Sequence, residues 1–574
     1  MKQIFFWLEW PWAYRLLYTL GLLLLLISMA GLGYAFYLGD SESIFWTTQG
    51  RIDIVKVPFD FFEKHLFEFP IRTDAYLLVE DFLPSDFHLN QWAAKFYFGA
   101  IALSLILILA AISDLSLTYY GIGLAFVILF IANMKLELLE VGAHIMDRWM
   151  LLLAFLGYAP LSYLFFSFWT RASYLVRIAA YSAITAALIF YVQGETALDA
   201  PFMHLTAHST VFPLIAVVAC CLFTGHEIIR GILWMATNGA SPPSQRMQRI
   251  IFISVLYLAN LVYGVAYLSF GYDLEIYYLH PVPVFMLSLL LGVWGLRERA
   301  EQLHKIMAFA PTGSFLYLGL GILASSSIAY HLITANEAMV EVYQDVILHT
   351  HLGLGVAFLG YVYFNFKPII EAGKKVYRII YKPSFMTFSV AWLFGGALVF
   401  GIQFGDNFFI YDQGFSAYYT GLADASLASE RKYEAKQYYE IAKTYDPLNY
   451  RLHYTLGSMA KEDGDKPSAK FFFKQGIRKN STPHAYAQLA QLDKKQGFSF
   501  QALFKLQQGV EKHPDSGELL NNMALTFTKT DVADSAYLYF QLARETAERP
   551  EIVESNLFSL WTKYDFFNNL DSIY

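Results

Sequence analysis

Residues 385–404 read FMTFSVAWLFGGALVFGIQF, an uncharged run long enough to cross the ~30 Å hydrocarbon layer as a helix. What flanks it gives it a direction. Lys367, Lys374, Lys375, Arg378 and Lys382 precede it against one acid, Glu371, whereas Asp406 and Asp412 follow and no cation comes before Arg431. Cations beside short membrane loops stay in the cytoplasm, because moving them across the bilayer is costly and anionic lipid holds them there. The run is therefore expected to leave the cell interior. It divides the chain into a multi-pass transmembrane domain, residues 1–405, and an exported helical domain, residues 406–574.

Working outward, the remaining composition agrees. Residues are 56% hydrophobic and only 16% charged, and the mean hydropathy is +0.39, so the chain is less charged than the roughly 25% of a soluble protein. A net charge of −7 offers no basic patch for nucleic acid. Cys220 and Cys221 are adjacent in an apolar run and have no metal or redox spacing. Apolar runs near 16–36, 96–113, 117–134, 149–168, 176–193, 209–225, 250–270, 279–295, 313–332 and 347–365 join the first to give about eleven spans. The first reads as an uncleaved anchor. Loops expected inside carry Arg171, Arg177, Arg230, Arg246, Arg249, Arg297, Arg299 and Lys305; those expected outside carry Glu195, Asp199, Asp273, Glu275, Glu337, Glu341 and Asp345. The protein is thus expected in the plasma or inner membrane, N-terminus cytoplasmic and C-terminal domain periplasmic or external. The tightest turn is expected near Asp114.

The first external loop, 39–91, alternates aromatic and polar residues and includes Phe59, Phe61, Phe62, Phe67 and Phe69. With Pro58, Pro70 and Pro84 cutting it, it is expected to lie on the membrane surface as short amphipathic pieces or to pack on the outer ends of the spans.

Beyond the last span, Ala435, Ala469, Ala502 and Ala536 recur at intervals of 34, 33 and 34 residues. Leu422/Ala423, Leu456/Gly457, Leu489/Ala490 and Met523/Ala524 stand upstream of them; Tyr439, Phe473, Leu506 and Phe540 stand four downstream, and Ala442, Gly476, Gly509 and Ala543 seven downstream. The period is that of a two-helix unit. Over 416–550 the chain resembles the tetratricopeptide repeat (TPR) family. The resemblance implies a superhelix of about four helix pairs plus a C-terminal helix, with a concave groove for a protein or peptide partner. Independently of it, helix pairs cannot bury their apolar faces alone and must stack. The expected fold class is all-α, a polytopic transmembrane helical bundle followed by a soluble TPR-like α-solenoid. The tail, with Trp561, Tyr564, Phe566 and Phe567, is too apolar for a terminal repeat facing water, so a partner or further chain is expected to cover it.

Chemistry is sparser. His144, His204, His208, His280, His331, His349 and His351 fall on the expected external side, where gathered histidines can bind a divalent metal or haem. His204 and His208 are one helical turn apart, and Glu137, Glu140, Asp147, Glu195, Asp199 and Asp345 could join them. His349 and His351 diverge by about 200° on a helix and would serve separate sites; with Asp345 they resemble, faintly, the span of haem-copper oxidases that ligates two haems. Asp40 and Glu42 follow the first span directly. That placement, with eleven spans and an exported C-terminal domain, resembles the GT-C superfamily of lipid-linked sugar transferases, which implies that Asp40 or Glu42 is the catalytic base or metal-binding acid. His226-Glu227-x-x-Arg230 reads as a structural ion pair, near the cytoplasmic end and a membrane thickness from the other histidines. Walker, GxSxG, HExxH and dinucleotide signatures are absent. Three readings follow: a membrane protein whose TPR domain gathers partners for assembly, modification or sorting of surface material in the cell envelope; a glycosyltransferase with a lipid-linked donor; and a haem or metal protein using His204, His208, His349 and His351. Membrane lipid is a partner in each.

Overall fold

The computed structural model describes residues 5–64, 67–141, 148–238, 242–270, 274, 276–304, 306–382, 385–405, 409–478 and 482–564. It is predominantly helical, with one two-stranded sheet. The chain forms two compact units: 1–39 with 89–446, and 40–88 with 447–574. The division expected at residue 405 thus falls some forty residues later, and the first loop belongs with the C-terminal helices.

In the first unit, ten helices among the described residues are long and apolar enough to cross a membrane, from Trp12–Leu38 to Glu337–Glu371. They fit an integral membrane protein and coincide with the first ten expected runs. The eleventh run is shorter than expected: its helix, Phe388–Gly405, contributes the apolar stretch Phe388–Gln403. The Asn365 side chain accepts hydrogen bonds from the backbone N–H groups of Phe385 and Met386, at 2.9 Å each. Those groups are held outside the helix and its start is delayed.

Two buried charge clusters pin this unit. Glu227 is fully buried and pairs with Arg230 and with Arg299 (3.2 Å), while Arg230 also reaches Glu298 at 2.8 Å. Arg299 lies 3.7 Å over the Phe223 ring. The expected ion pair is therefore a network of four residues, held from two sides. Arg177 is buried and donates to Ser113 Oγ (3.0 Å) and the Thr170 carbonyl (2.9 Å); Thr312 donates to Asp114 at 2.7 Å. These bonds close the tight turn at Asp114. The helix pair Phe409–Ala428 and Lys432–Tyr445, expected as the first exported repeat, belongs to this unit, its first helix packing on Pro201–His208 and Glu337–Glu371.

The second unit holds the helices Tyr450–Glu462, Lys466–Gly476, Pro483–Lys495, Ser499–Lys512, Gly517–Lys529, Ala533–Thr546 and Pro550–Tyr564, each packed on its chain neighbours. Asn449, Asp465, Thr482 and Ser516 cap four of them, each side chain accepting from a first-turn N–H. Ala469, Ala502 and Ala536 are completely buried where paired helices cross. At Gly517 a Cβ would stand 2.2 Å from the Ala547 nitrogen, so only glycine lets that close approach form.

The remainder of this unit corrects an expectation. Residues 46–64 and 67–84 are not short amphipathic pieces but the two strands of one long hairpin, β1 (Trp46–Lys64) against β2 (Phe67–Pro84), antiparallel with Trp46 opposite Pro84 and a bulge between Pro58 and Asp60. Alternation of aromatic and polar residues is the period-2 signature of a strand. The prolines interrupt it less than expected because a two-stranded ribbon consists of edges, where a missing N–H is tolerated, and Pro58 sits at the bulge.

Candidate functional site: a groove that reads main chain

Four side chains at intervals of 34 residues, Tyr454, Gln488, Asn522 and Asn556, occupy matching places on the helices Tyr450–Glu462, Pro483–Lys495, Gly517–Lys529 and Pro550–Tyr564. Together they follow one extended segment. Tyr454 Oη donates to the Ser85 carbonyl (2.6 Å) and Gln488 Nε2 to the Pro84 carbonyl (3.2 Å). Asn522 accepts from the Phe82 N–H (2.9 Å) and donates to the Phe82 carbonyl (2.6 Å). Asn556 does the same at Glu80, 2.8 Å each way. Asn521 Nδ2 adds a 3.3 Å bond to the Glu80 carbonyl, and Ser559 Oγ donates to the Leu78 carbonyl at 3.0 Å. As the repeat number rises, the bound residue number falls, so the segment runs antiparallel to the helix array.

Every one of these contacts falls on the main chain, so the ladder selects an extended backbone rather than a side-chain sequence. A carboxamide suits this task because it carries one acceptor and two donors and can close a two-point ring on one residue's N–H and C=O. It also answers a structural need. Alternate residues of an antiparallel strand point their backbone groups to opposite edges. Glu80 and Phe82 point theirs at the helices, so the odd residues between them face β1. The amides thus finish an edge that would otherwise be bare.

Apolar and charged contacts reinforce the register. Phe82 is fully buried and Trp46, Leu77 and Val79 nearly so, in part against Tyr486, Ala487, Ala490 and Ala524, each large side chain contributing roughly 1.5–3 kcal/mol. Arg549 donates to the Trp46 carbonyl at 3.3 Å, and Arg451 lies 4.1 Å over the Phe87 ring. Asp81 binds Arg51 (2.5 Å) and Lys494 (3.1 Å). Burial opposes its ionisation, but Lys494 and Arg51 outweigh that and hold the carboxyl below its usual range. Cavities of about 320 Å³ and about 220 Å³ flank the strand, and Lys529 lines both. Burial, then Arg51 and Lys494, push the Lys529 amine down. The His484 ring lies tilted against Trp46, 4.5 Å between centroids, and burial lowers its pKa to about 4.

The residues singled out in the sequence fall elsewhere. Asp40 accepts a hydrogen bond from Tyr450 Oη, and its backbone carbonyl accepts from Ser43 and Ile44. It serves the turn that opens the hairpin. Glu42 is half-buried in the same turn. His204 and His208 are brought together, ring centroids 4.4 Å apart, with His204 Nε2 3.5 Å from the Lys135 carbonyl and His208 Nδ1 3.4 Å from Tyr418 Oη. Burial lowers the pKa of both, that of His208 to about 3. Among the described residues no group of three or more His, Cys, Asp or Glu is placed to hold a metal; His144 and Asp147 lie outside the described residues. His349 Nδ1 faces Gln403 Oε1 at 2.9 Å and His351 Nδ1 the Ile347 carbonyl at 2.8 Å. His226 is not a membrane thickness away from them: a Cβ on neighbouring Gly225 would stand 3.1 Å from the Thr350 carbonyl.

The ladder is hidden in the sequence because the small residues at the helix crossings carry the more conspicuous part of the 34-residue period. Its signal was there, a polar side chain recurring at that period within an otherwise apolar register. The apolar tail, expected to need a covering partner, is covered in part by the hairpin: Ile552, Val553, Leu557 and Leu560 share a core with Val79 and Phe82. Phe566 and Phe567 lie outside the described residues. No protein-family model matches the chain, and no curated protein matches it.

Proposed function

We propose that this chain is a multi-pass membrane protein whose C-terminal unit is a TPR-like docking module, exported to the outer side of the membrane, that binds extended polypeptide through its main chain and works in the assembly or sorting of cell-envelope material. The observation that carries this reading is the 34-residue ladder of Tyr454, Gln488, Asn522 and Asn556 on the backbone of residues 80–85. Such a ladder is the chemistry of strand recognition, in which main-chain bonds give affinity and pockets for alternate side chains give selectivity. The hairpin is its resident ligand. Orientation rests on the cations that precede the last apolar helix and the acids that follow it. Asp40, held by Tyr450 in a turn, has a structural occupation already, which favours docking over sugar transfer.

A photo-crosslinking residue in place of Gln491, which lines the smaller cavity, tests the reading in intact envelopes. Adducts to one or a few envelope proteins are expected, strengthened when 46–84 is replaced by a short flexible linker. Adducts to none, in either chain, would contradict it.

A further inference from the structure

The hairpin has two edges, and only one is finished. Glu80 and Phe82 turn their backbone groups to the amide ladder. The register places Gly50 opposite Glu80 and Thr48 opposite Phe82, so the even residues of β1 turn theirs outward on the opposite edge. There Arg549 takes the Trp46 carbonyl. Further along, Lys56, Pro58 and the bulge at 58/60 are devices that stop strand addition. Between these limits, Thr48, Gly50, Ile52 and Ile54 have no backbone partner beyond the hairpin among the described residues. At the outer half of this window the same face is exposed and apolar: Ile52 is opposite Leu78 and Ile54 opposite Tyr76, each at least half exposed.

We infer that this window is a two-fold interface, in which β1 of one chain pairs antiparallel with β1 of a second copy, centred on Ile52. Geometry and charge select the partner and the register. Outward groups occur only at even residues, so paired residue numbers must sum to an even value. A sum of 102 sets Arg51 against Arg51, and 106 sets Asp53 against Asp53. A sum of 104 sets Arg51 of each chain, which within its own chain already holds Asp53 at 3.1 Å and Asp81, against Asp53 of the other, so that the Arg51–Asp53 contact is continued across the seam; it also sets Gly50 against the bulky Ile54, and Ile52 against itself. An isologous contact is the ordinary form of a homodimer. The result is a four-stranded sheet, sturdier than a lone ribbon, and it does not depend on what the C-terminal unit binds.

Cysteine cross-linking of the full-length chain in native membranes tests this. In the register summing to 104, the residue-52 Cα atoms are about 5.5 Å apart, within disulfide range, whereas those of residue 54 are about 14 Å apart. Mild oxidation should join Ile52→Cys chains as dimers roughly ten-fold more than Ile54→Cys chains; the parent chain, with its buried Cys220 and Cys221, sets the background. In the Ile52→Cys chain, Asp53→Arg should abolish the dimer, and Arg51→Asp with Asp53→Arg should restore it. A Thr47→Cys/Leu83→Cys pair, opposite in the hairpin, reports whether the ribbon is formed. Equal cross-linking at 52 and 54, no dimer at 52 whether or not the 47/83 bridge forms, or failure of the double swap to restore the dimer while that bridge still forms would each overturn the inference.

Discussion

Asn522 satisfies both backbone groups of Phe82 with one amide, and Phe82 is fully buried. Asn522→Ala leaves an N–H and a C=O without partners, at roughly 1–3 kcal/mol for each. The hairpin should become readily cleaved by added protease while the membrane helices are unaffected. Asn522→Asp, which accepts but cannot donate when ionised, should fall between the two. A second residue-scale prediction concerns Glu227, whose fully buried carboxylate faces two arginines. Glu227→Gln should destabilise the purified protein by about 3–5 kcal/mol, because buried Arg299 loses the carboxylate it faces and Arg230 keeps only Glu298. Gly295→Ala should do comparable harm, since its Cβ would stand 2.0 Å from Glu227 Oε1; thermal unfolding in detergent measures both. A third follows from His484, whose value falls from 6.5 to about 4 on folding. Below about 6.5 the unfolded chain takes up a proton that the folded one refuses, so stability is full above that pH and declines as pH falls toward 4, by at most about 1.4 kcal/mol per unit. Asp81 adds a loss at lower pH still, since its folded carboxyl is held below the unfolded value. His484→Phe, which keeps an aromatic ring against Trp46, should flatten the upper part of that decline in denaturation midpoints.

The helices and the hairpin were not equally legible in the sequence. The ten long apolar helices could be read because a span is one uninterrupted run, whose cause lies wholly within its own residues. The helix pairs of 450–564 could be read from Ala469, Ala502 and Ala536, because close crossings admit only small side chains. The hairpin could not be read the same way. Its period-2 pattern was present in residues 46–84, but a ribbon this long is stable only against something. What it lies against, Asn522 and Asn556, stands more than 400 residues away in the chain. The eleventh run began later than expected for a similar reason: Asn365, twenty residues upstream, takes the N–H groups of Phe385 and Met386. A prediction belongs at this scale. Ala536→Leu should overpack the Gly517–Lys529/Ala533–Thr546 pair, costing about 1–3 kcal/mol, and should release the hairpin without touching it, as protease cleavage within 46–84 would report.

On the scale of the whole chain, each unit is assembled from separated stretches: 40–88 leaves the membrane helices to complete the C-terminal unit, and 409–446 stays with the first. Composition and charge order could give the gross division into apolar and polar parts, but not this exchange, which depends on long-range contacts. The candidate site was legible only by half, as a period without its polar members, because the ligand it holds is a part of the same chain that looked like a membrane-surface loop. The most direct measurement is amide hydrogen exchange at Glu80 and Phe82 in the intact protein. Both should be strongly protected, and Asn522→Ala with Asn556→Ala should release them together while Leu83, whose backbone faces β1, stays slower. Rapid exchange at Glu80 and Phe82 in the unaltered chain, or rates that the double substitution leaves unchanged, would contradict the groove as described.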